Sequence, residues 1–369
     1  MESSNLMKSN NRFAIFRSVT ARKKALKSEI QLDTSLSWGS VSESVTDLVS
    51  RHILCYGESV QPNIRGPLAT YIEVDPHYYA VLAMDLNREG LKAYVMNLRG
   101  EILDSVTEPL DETDCATFLT HMESVLTKEN QKALSLSLHP FAIGIAVQGS
   151  VDTDHGISHY FPGFAPNEWL DVPLKQMVEE RFHLPCFMEH DPQCILFAYR
   201  EKTKEKDGVL IRLDRGIGMA VMEKGVIQEG KDCYELGHTL AVENGRPCVC
   251  GRKGCLEAYA SLRGIAKEAG VSVDALLEHP ENYEALFHDA GHKLGVAFYN
   301  VYRLLQNDKF LLCGDTLKAK EYFIPQVKDT LRSLMFPETR EISFVEIEED
   351  AAQGAGYWAI DRYLVGLLS

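Results

Sequence analysis

Between Tyr234 and Ser261 the chain reads YELGHTLAVENGRPCVCGRKGCLEAYAS, which puts His238, Cys248, Cys250 and Cys255 into one short polar stretch. Thiolate and imidazole are the preferred ligands of tetrahedral zinc, and a Cys3His set leaves no open position on the metal. Gly245, Gly251 and Gly254 surround the thiols and let the backbone fold back on itself. Cysteines that only fill a core sit in apolar surroundings. Three within eight residues, flanked by Gly, Arg and Lys, do not fit that pattern, so a structural zinc ion is expected here. It would hold Glu235 and Glu257 in place beside it.

The elements that must position this loop belong to a chain of 369 residues, 45% hydrophobic and 25% charged. That composition is ordinary for a soluble protein, and the length implies two or three domains. No apolar run approaches a membrane span, and the polar N-terminus lacks a signal-peptide core. A cytoplasmic protein with no membrane partner is expected, and nine cysteines whose only cluster is zinc-like suit a reducing compartment. The net charge of −15 argues against nucleic-acid binding by the whole surface. Its distribution is uneven, because Lys8, Arg12, Arg17, Arg22, Lys23, Lys24 and Lys27 face only Glu2 before Ser28. A basic end on an acidic body suggests a small phosphate-contacting module, although a solvated helix face would give the same charges.

Residues 1–75 read as that module. Phe13, Phe16 and Val19 place a helix over Asn10 to Lys24. Ser28 can cap a second short helix carrying Ile30 and Leu32. A turn at Ser35 to Ser37 leads to a third helix from Trp38 to His52, capped by Ser37 and buried along Val41, Val45, Leu48 and Val49. Helix, short helix, turn and third helix is the helix-turn-helix plan. Lys27, Ser28, Ser37, Trp38, Ser40, Ser42 and Ser44 are then the candidates for contact with operator DNA. Tyr56 to Tyr71, turning near Gly57, would form a β wing, with Arg65 as a thin basic step for a minor groove. Glu43 weighs against DNA, and a helical dimerisation or lid domain is the alternative.

The body alternates sheet and helix twice. Consecutive antiparallel strands start from His77, then come a helix over Asp114 to Glu129, a strand over Phe141 to Val147 and a loop over Gly149 to Gly156. A helix over Leu174 to Phe182 and a strand over Pro185 to Glu189 lead to His190-Asp191, after which a helix runs from Pro192 to Lys202. Strands over Val209 to Leu213 and Met219 to Met222 bracket Asp214-Arg215-Gly216-Ile217-Gly218. Beyond the cysteine loop come helices over Asp289 to Gln306, Ala319 to Met335 and Gln353 to Leu368, with a strand at Phe310 to Cys313. This implies α/β lobes over 76–190, with 351–369 packing back, and over 191–350, closing on a cleft. No internal repeat is strong enough in the residues to use.

The stretch ELGHTLAVENGRPCVCGRKGCLEAYAS closely resembles the signature of the ROK family of repressors, open reading frames and sugar kinases. With the helix-turn-helix start of the repressor branch, the resemblance covers nearly the whole chain. It implies a winged helix-turn-helix followed by a two-lobed, actin- and hexokinase-like (ribonuclease H-like) α/β body. It also implies zinc on His238, Cys248, Cys250 and Cys255, and sugar contacts from Gly149, Ser150, His190, Asp191, Glu235, His238 and Glu257. Asp191 stands where the family's kinases carry their catalytic base.

The family's phosphate loops fare differently. Asp-x-Gly-Gly-Thr is replaced by Asp85-Leu86-Asn87-Arg88-Glu89-Gly90, and Gly-Thr-Gly-x-Gly by Asp214-Arg215-Gly216-Ile217-Gly218. A carboxylate beside a phosphate repels it, only partly offset by Arg215. The late glycine pair is reduced to Gly314-Asp315. On the sugar side, His190 replaces an asparagine, and Phe164 or Ala165 stands near where another is expected before Trp169. These departures predict no use of ATP and no enzyme activity. The expected function is a sugar-responsive regulator, a homodimer or homotetramer that binds operator DNA and a sugar or sugar-phosphate effector. An ATP-dependent hexose or N-acetylhexosamine kinase is the alternative, and a partner protein without DNA binding is a third reading.

Overall fold

The computed structural model describes residues 2–61, 68–87, 90–110, 114–164, 168–229, 234–336, 342–348 and 350–368. It divides into two compact units, residues 1–191 with 351–369, and residues 192–350.

The first unit opens with α1 (Glu2–Arg22), the two-residue strand β1 (Lys24–Ala25), α2 (Lys27–Thr34), α3 (Trp38–Ser50), β2 (Leu54–Val60) and β3 (Ala69–Val74). Strand β3 pairs antiparallel with both β1 and β2. Ser37 caps α3 by accepting the Ser40 N–H at 3.2 Å. Ile15, Phe16, Val19, Ile30, Val41, Val45 and Leu48 interlock the three helices. Ser28 is not a cap. It lies inside α2, whose start at Leu26 is fixed by Glu29, which accepts the Leu26 N–H at 2.7 Å. Leu32 is 80% exposed rather than buried beside Ile30. Gly57 makes no turn: β2 runs through it, and the ladder slips between Tyr56 and Ser59 instead. Arg65 lies outside the described residues.

The same unit continues through β4 (Tyr79–Asn87), β5 (Gly90–Asn97), β6 (Ile102–Pro109), α4 (Cys115–Ser135), β7 (His139–Val147), β8 (Ser150–Asp152), β9 (Ile157–Tyr160), α5 (Leu174–Phe182) and β10 (Cys186–His190). Its main sheet has the order β10-β7-β4-β5-β6, in which β4, β5 and β6 form an antiparallel meander and β7 and β10 add in parallel. Central strands β4 and β7 are apolar on both faces, as strands covered on two sides must be. The segment read as a loop over Gly149 to Gly156 is instead the start of a β8–β9 hairpin. Helix α4 runs six residues beyond Glu129, because Val125, Leu126, Glu129 and Ala133 continue its buried stripe.

The second unit holds α6 (Asp191–Thr203), which starts on the last residue of the first, then β11 (Gly208–Leu213), β12 (Ile217–Glu223), β13 (Val226–Ile227), α7 (Glu257–Ala260), α8 (Leu262–Ala269), α9 (Val273–Glu278), α10 (Glu284–Leu305), β14 (Lys309–Cys313), α11 (Lys320–Leu334) and β15 (Ser343–Glu346). Its sheet order is β13-β12-β11-β14-β15, with the first three antiparallel and the last two added in parallel. Each unit therefore carries the same ribonuclease H-like five-strand plan, a duplication invisible in the residues themselves.

A closing helix, Ala351–Leu368, returns to the first unit. A Cβ on Gly144 would stand 2.2 Å from the Ala355 carbonyl oxygen, so this helix presses its backbone onto β7. Ala352, Ala359, Ile360 and Leu364 from it share one core with Ile15, Phe16 and Val19 of α1 and with Val81 and Ala83 of β4. The three-helix module is thus cemented to the first sheet by a continuous apolar core.

Candidate functional site

The 3₁₀ turn Leu236–His238 and two single bridges, Leu240 to Cys255 and Pro247 to Lys253, shape the cysteine loop. The Cys248 N–H donates to the Arg252 carbonyl at 2.8 Å, and the Gly251 N–H donates back to the Cys248 carbonyl at 3.1 Å. Gly254 has φ +82°, and a Cβ there would stand 1.8 Å from the Val242 carbonyl oxygen. Tyr259 braces the loop from α7, its hydroxyl accepting the Arg246 N–H at 2.7 Å. His238 Nδ1 lies 3.7 Å from Cys248 Sγ, and Cys250 Sγ lies 3.7 Å from Cys255 Sγ. All four donor atoms fall within 4.8 Å of one another. A tetrahedron with metal–sulfur bonds of about 2.3 Å has edges of about 3.8 Å, so one ion fits this set. Burial pushes the Cys248 thiol up to about 12 and also raises Cys255. Cys250 goes the other way, since the Arg252 N–H and the neighbouring thiols outweigh burial. Three thiols crowded this closely are a donor set suited to a metal cation.

Two carboxylates follow from the same loop. Glu257, two residues past Cys255, accepts the Ile217 N–H through Oε2 at 3.1 Å. Gly216 and Gly237 make room for it: a Cβ on either would come within 3.3 Å of that oxygen, and one on Gly237 would stand 2.6 Å from the Ile217 carbonyl. Glu235 is exposed, and its carbonyl accepts the His238 N–H at 3.0 Å.

The remaining predicted sugar residues lie in the first unit. Strand β10 ends on His190 and α6 opens on Asp191, with His190 Nε2 3.5 Å from Asp191 Oδ1 and Asp191 4% exposed. Gly149 has φ +98°, and a Cβ on it would meet the Tyr160 carbonyl oxygen at 2.2 Å, so only glycine passes the chain into Ser150 and β8. Sequence reasoning missed Glu189. This buried side chain accepts the His190 N–H at 2.8 Å, and burial pushes its carboxyl up to about 7. The signal was there to read: an acid closing an otherwise apolar strand.

Asp214 stands just past the end of β11. Its carboxylate is met by Arg212, with Nη2 to Oδ2 at 3.0 Å inside the second unit. Arg215 contributes its backbone N–H to Asp214 Oδ1 at 2.7 Å, while its guanidinium reaches Asp274 at 3.6 Å. The retained glycines have packing reasons of their own. A Cβ on Gly218 would stand 2.7 Å from Pro192 Cγ, and one on Gly314 (φ +105°) 2.1 Å from the Leu213 carbonyl oxygen. Arg88, Glu89 and Ala165 lie outside the described residues.

In the N-terminal module the basic residues are matched by acids on α2, α3 and β2. Lys8 pairs with Glu43 at 3.0 Å, Arg12 with Asp47 at 2.7 Å, Arg22 with Asp33 at 2.6 Å and Lys24 with Glu58 at 3.7 Å. Lys27 donates to the Ser42 hydroxyl at 3.1 Å. Ser28, Ser37 and Trp38 are exposed, Ser40, Ser42 and Ser44 half-buried. Residues 1–75 contain nine Lys and Arg against eight Asp and Glu, so the module is nearly neutral.

The family model of the ROK family matches residues 81–362. The DNA-binding transcriptional repressor Mlc of Escherichia coli is 21% identical over 376 residues, covering 94% of this chain and 91% of that protein. A glucokinase of Halalkalibacterium halodurans is 24% identical over 318 residues, covering 76% of this chain and 94% of its own. Among solved structures, a ROK family transcriptional regulator described as a homolog of the E. coli MLC protein superposes with a TM-score of 0.83 at 20% identity, over 98% of both chains. Among the described residues no helix is long and apolar enough to cross a membrane.

Proposed function

We propose, from the premise that the chain belongs to the ROK family, that it is a sugar-responsive, DNA-binding transcriptional regulator of carbohydrate metabolism, acting as a repressor. One observation carries this reading. The repressor aligns along 94% of the chain, whereas the glucokinase is nearly used up by 76% of it. What the glucokinase lacks corresponds in size to the three-helix module. We read that module as a winged helix-turn-helix, with α3 as the helix for the major groove and β2–β3 as the wing. A homodimer or homotetramer would present two such modules to a near-palindromic operator.

The effector would be a sugar or sugar phosphate, with Gly149, Ser150, His190, Asp191, Glu235, His238 and Glu257 as its proposed contacts. Hydroxyl groups suit this set, because the carboxylates and imidazole both accept and orient hydrogen bonds. Effector binding alters DNA affinity only to the extent that it favours one conformation over another. The continuous core joining α1, the closing helix and β4 supports such coupling, since the module shares its apolar interior with the first sheet. A zinc ion on His238, Cys248, Cys250 and Cys255 would supply rigidity alone, having no open coordination position.

The second reading, an ATP-dependent sugar kinase, is favoured by Asp191, a buried carboxylate at the head of α6. A general base without a phosphate cradle does not transfer phosphate. Asp214 and Arg215 stand where family kinases carry a bare glycine and a threonine hydroxyl, and that loss of a phosphate-cradling loop argues against ATP. An ADP-release assay over a panel of hexoses and N-acetylhexosamines separates the two readings. Steady turnover that Asp191→Asn abolishes would establish the kinase, and anisotropy titration of upstream genomic duplexes tests the regulator.

A further inference from the structure

From Trp38 to Ser50, helix α3 carries two acids, Glu43 and Asp47, and no lysine or arginine. Asp47 is engaged by both Arg12 and Arg51, with side-chain exposures of 31%, 18% and 38%. Glu43 stands outward instead, with 70% of its side chain exposed, about a turn and a half inside the helix start. That is the stretch of a recognition helix that reaches base edges.

A lone carboxylate brought into a groove is repelled by the phosphates that line it. Glu43 is not alone. Lys8 Nζ of α1 stands 3.0 Å from its Oε1, and one turn along both helices Arg12 pairs with Asp47. Positions 8 and 12 therefore match 43 and 47 in register, and each pair is neutral. Bringing α3 to DNA adds no net negative charge, yet leaves a strong acceptor facing outward. In the major groove the cytosine N4 amine is a donor without a neighbouring acceptor on the same base, whereas adenine sets its N7 acceptor beside its N6 donor and so repels a carboxylate.

We propose that Glu43 is a specificity-determining residue that selects a C·G pair in each half-site, with Lys8 as its built-in counter-charge. This rests on the reading of the protein as a DNA-binding regulator. Lys8 remains beside the carboxylate in the complex and holds it at the groove.

The test uses the full-length protein. Sequences are enriched from a randomised duplex library, and anisotropy then measures binding to the enriched duplex and to each single base-pair replacement. The wild type is expected to lose about tenfold or more at one C·G pair per half-site. Glu43→Ala should lose the preference at that pair alone, with the salt slope steepening by about one per module at most as Lys8 is released. Glu43→Gln should move it towards A·T, because glutamine can both donate to adenine N7 and accept from N6. Lys8→Met should weaken binding to all sequences alike. Unchanged base preference in Glu43→Ala, or uniformly tighter binding, would overturn the assignment while leaving the regulator reading intact. A wild type that enriches no sequence would overturn both.

Discussion

The Arg212 guanidinium and the Asp214 carboxylate meet inside the second unit, Nη2 to Oδ2 at 3.0 Å, with both side chains less than a tenth exposed. Two residues apart at the end of β11, they fall on one face of the strand. The carboxylate also accepts the Arg215 N–H, so it is committed on both oxygens. Removing one member of a buried pair strips the other of that counter-charge inside the protein. Asp214→Ala should therefore destabilise the protein by about 3–5 kcal/mol in denaturant unfolding. A loss under about 1 kcal/mol would show that water reaches Arg212.

Zinc gives a second prediction. Cys250→Ser or Cys255→Ser should lower the metal content from one equivalent per chain to none and bring the second unit to an earlier unfolding transition, since a structural ion contributes directly to folding energy. Metal analysis of the wild type purified under reducing conditions is the check. Absence of zinc there would contradict the assignment.

Stability should also fall with rising pH in a defined window. Glu189 and Glu129 are both pushed up to about 7 from an ordinary 4.5 by burial. Each keeps its proton in the folded chain after the unfolded chain has released it. The folded state is thus at no disadvantage below about pH 4.5, loses stability progressively up to about pH 7 and levels off above. For Glu189 the loss is about 3 kcal/mol. Glu189→Gln should remove its share of that slope in urea unfolding at pH 5 and pH 8. An unaltered slope would mean that the carboxyl is solvated in the native state.

The near-neutral N-terminal module predicts a shallow salt response. Arg17, Lys23 and Lys27 are its cations without a carboxylate partner among the described residues. Three phosphate contacts per module give a slope of log K against log salt of about −3. A slope twice as steep per module would mean that the ion pairs of Lys8, Arg12 and Arg22 open on DNA.

Much of this was legible in the residues, and the exceptions have physical reasons. The four metal donors could be read because their chemistry is local, and α5 and α3 because a 3.6-residue apolar stripe and a serine cap mark them. The duplication of the sheet order could not, because topology is carried by strand succession and not by side-chain identity. Basic residues of α1 suggested a phosphate-binding surface, but their partners stand some 11 to 35 residues away in sequence, beyond any local pattern. Ser28 failed as a cap because Glu29 reaches back to the Leu26 N–H. Arg212 was overlooked inside VLIRL, although a lone cation in a buried strand, two residues ahead of an acid, announces a pair.

The central claim is that one molecule couples a sugar to DNA. The most direct measurement is an anisotropy titration of the enriched duplex with zinc-loaded, full-length protein, in the presence and absence of a panel of sugars and sugar phosphates. Salt-sensitive, sequence-dependent binding that one member of the panel shifts is the predicted result. Contradiction would come from sequence-independent binding, or from binding that every sugar and sugar phosphate leaves unchanged.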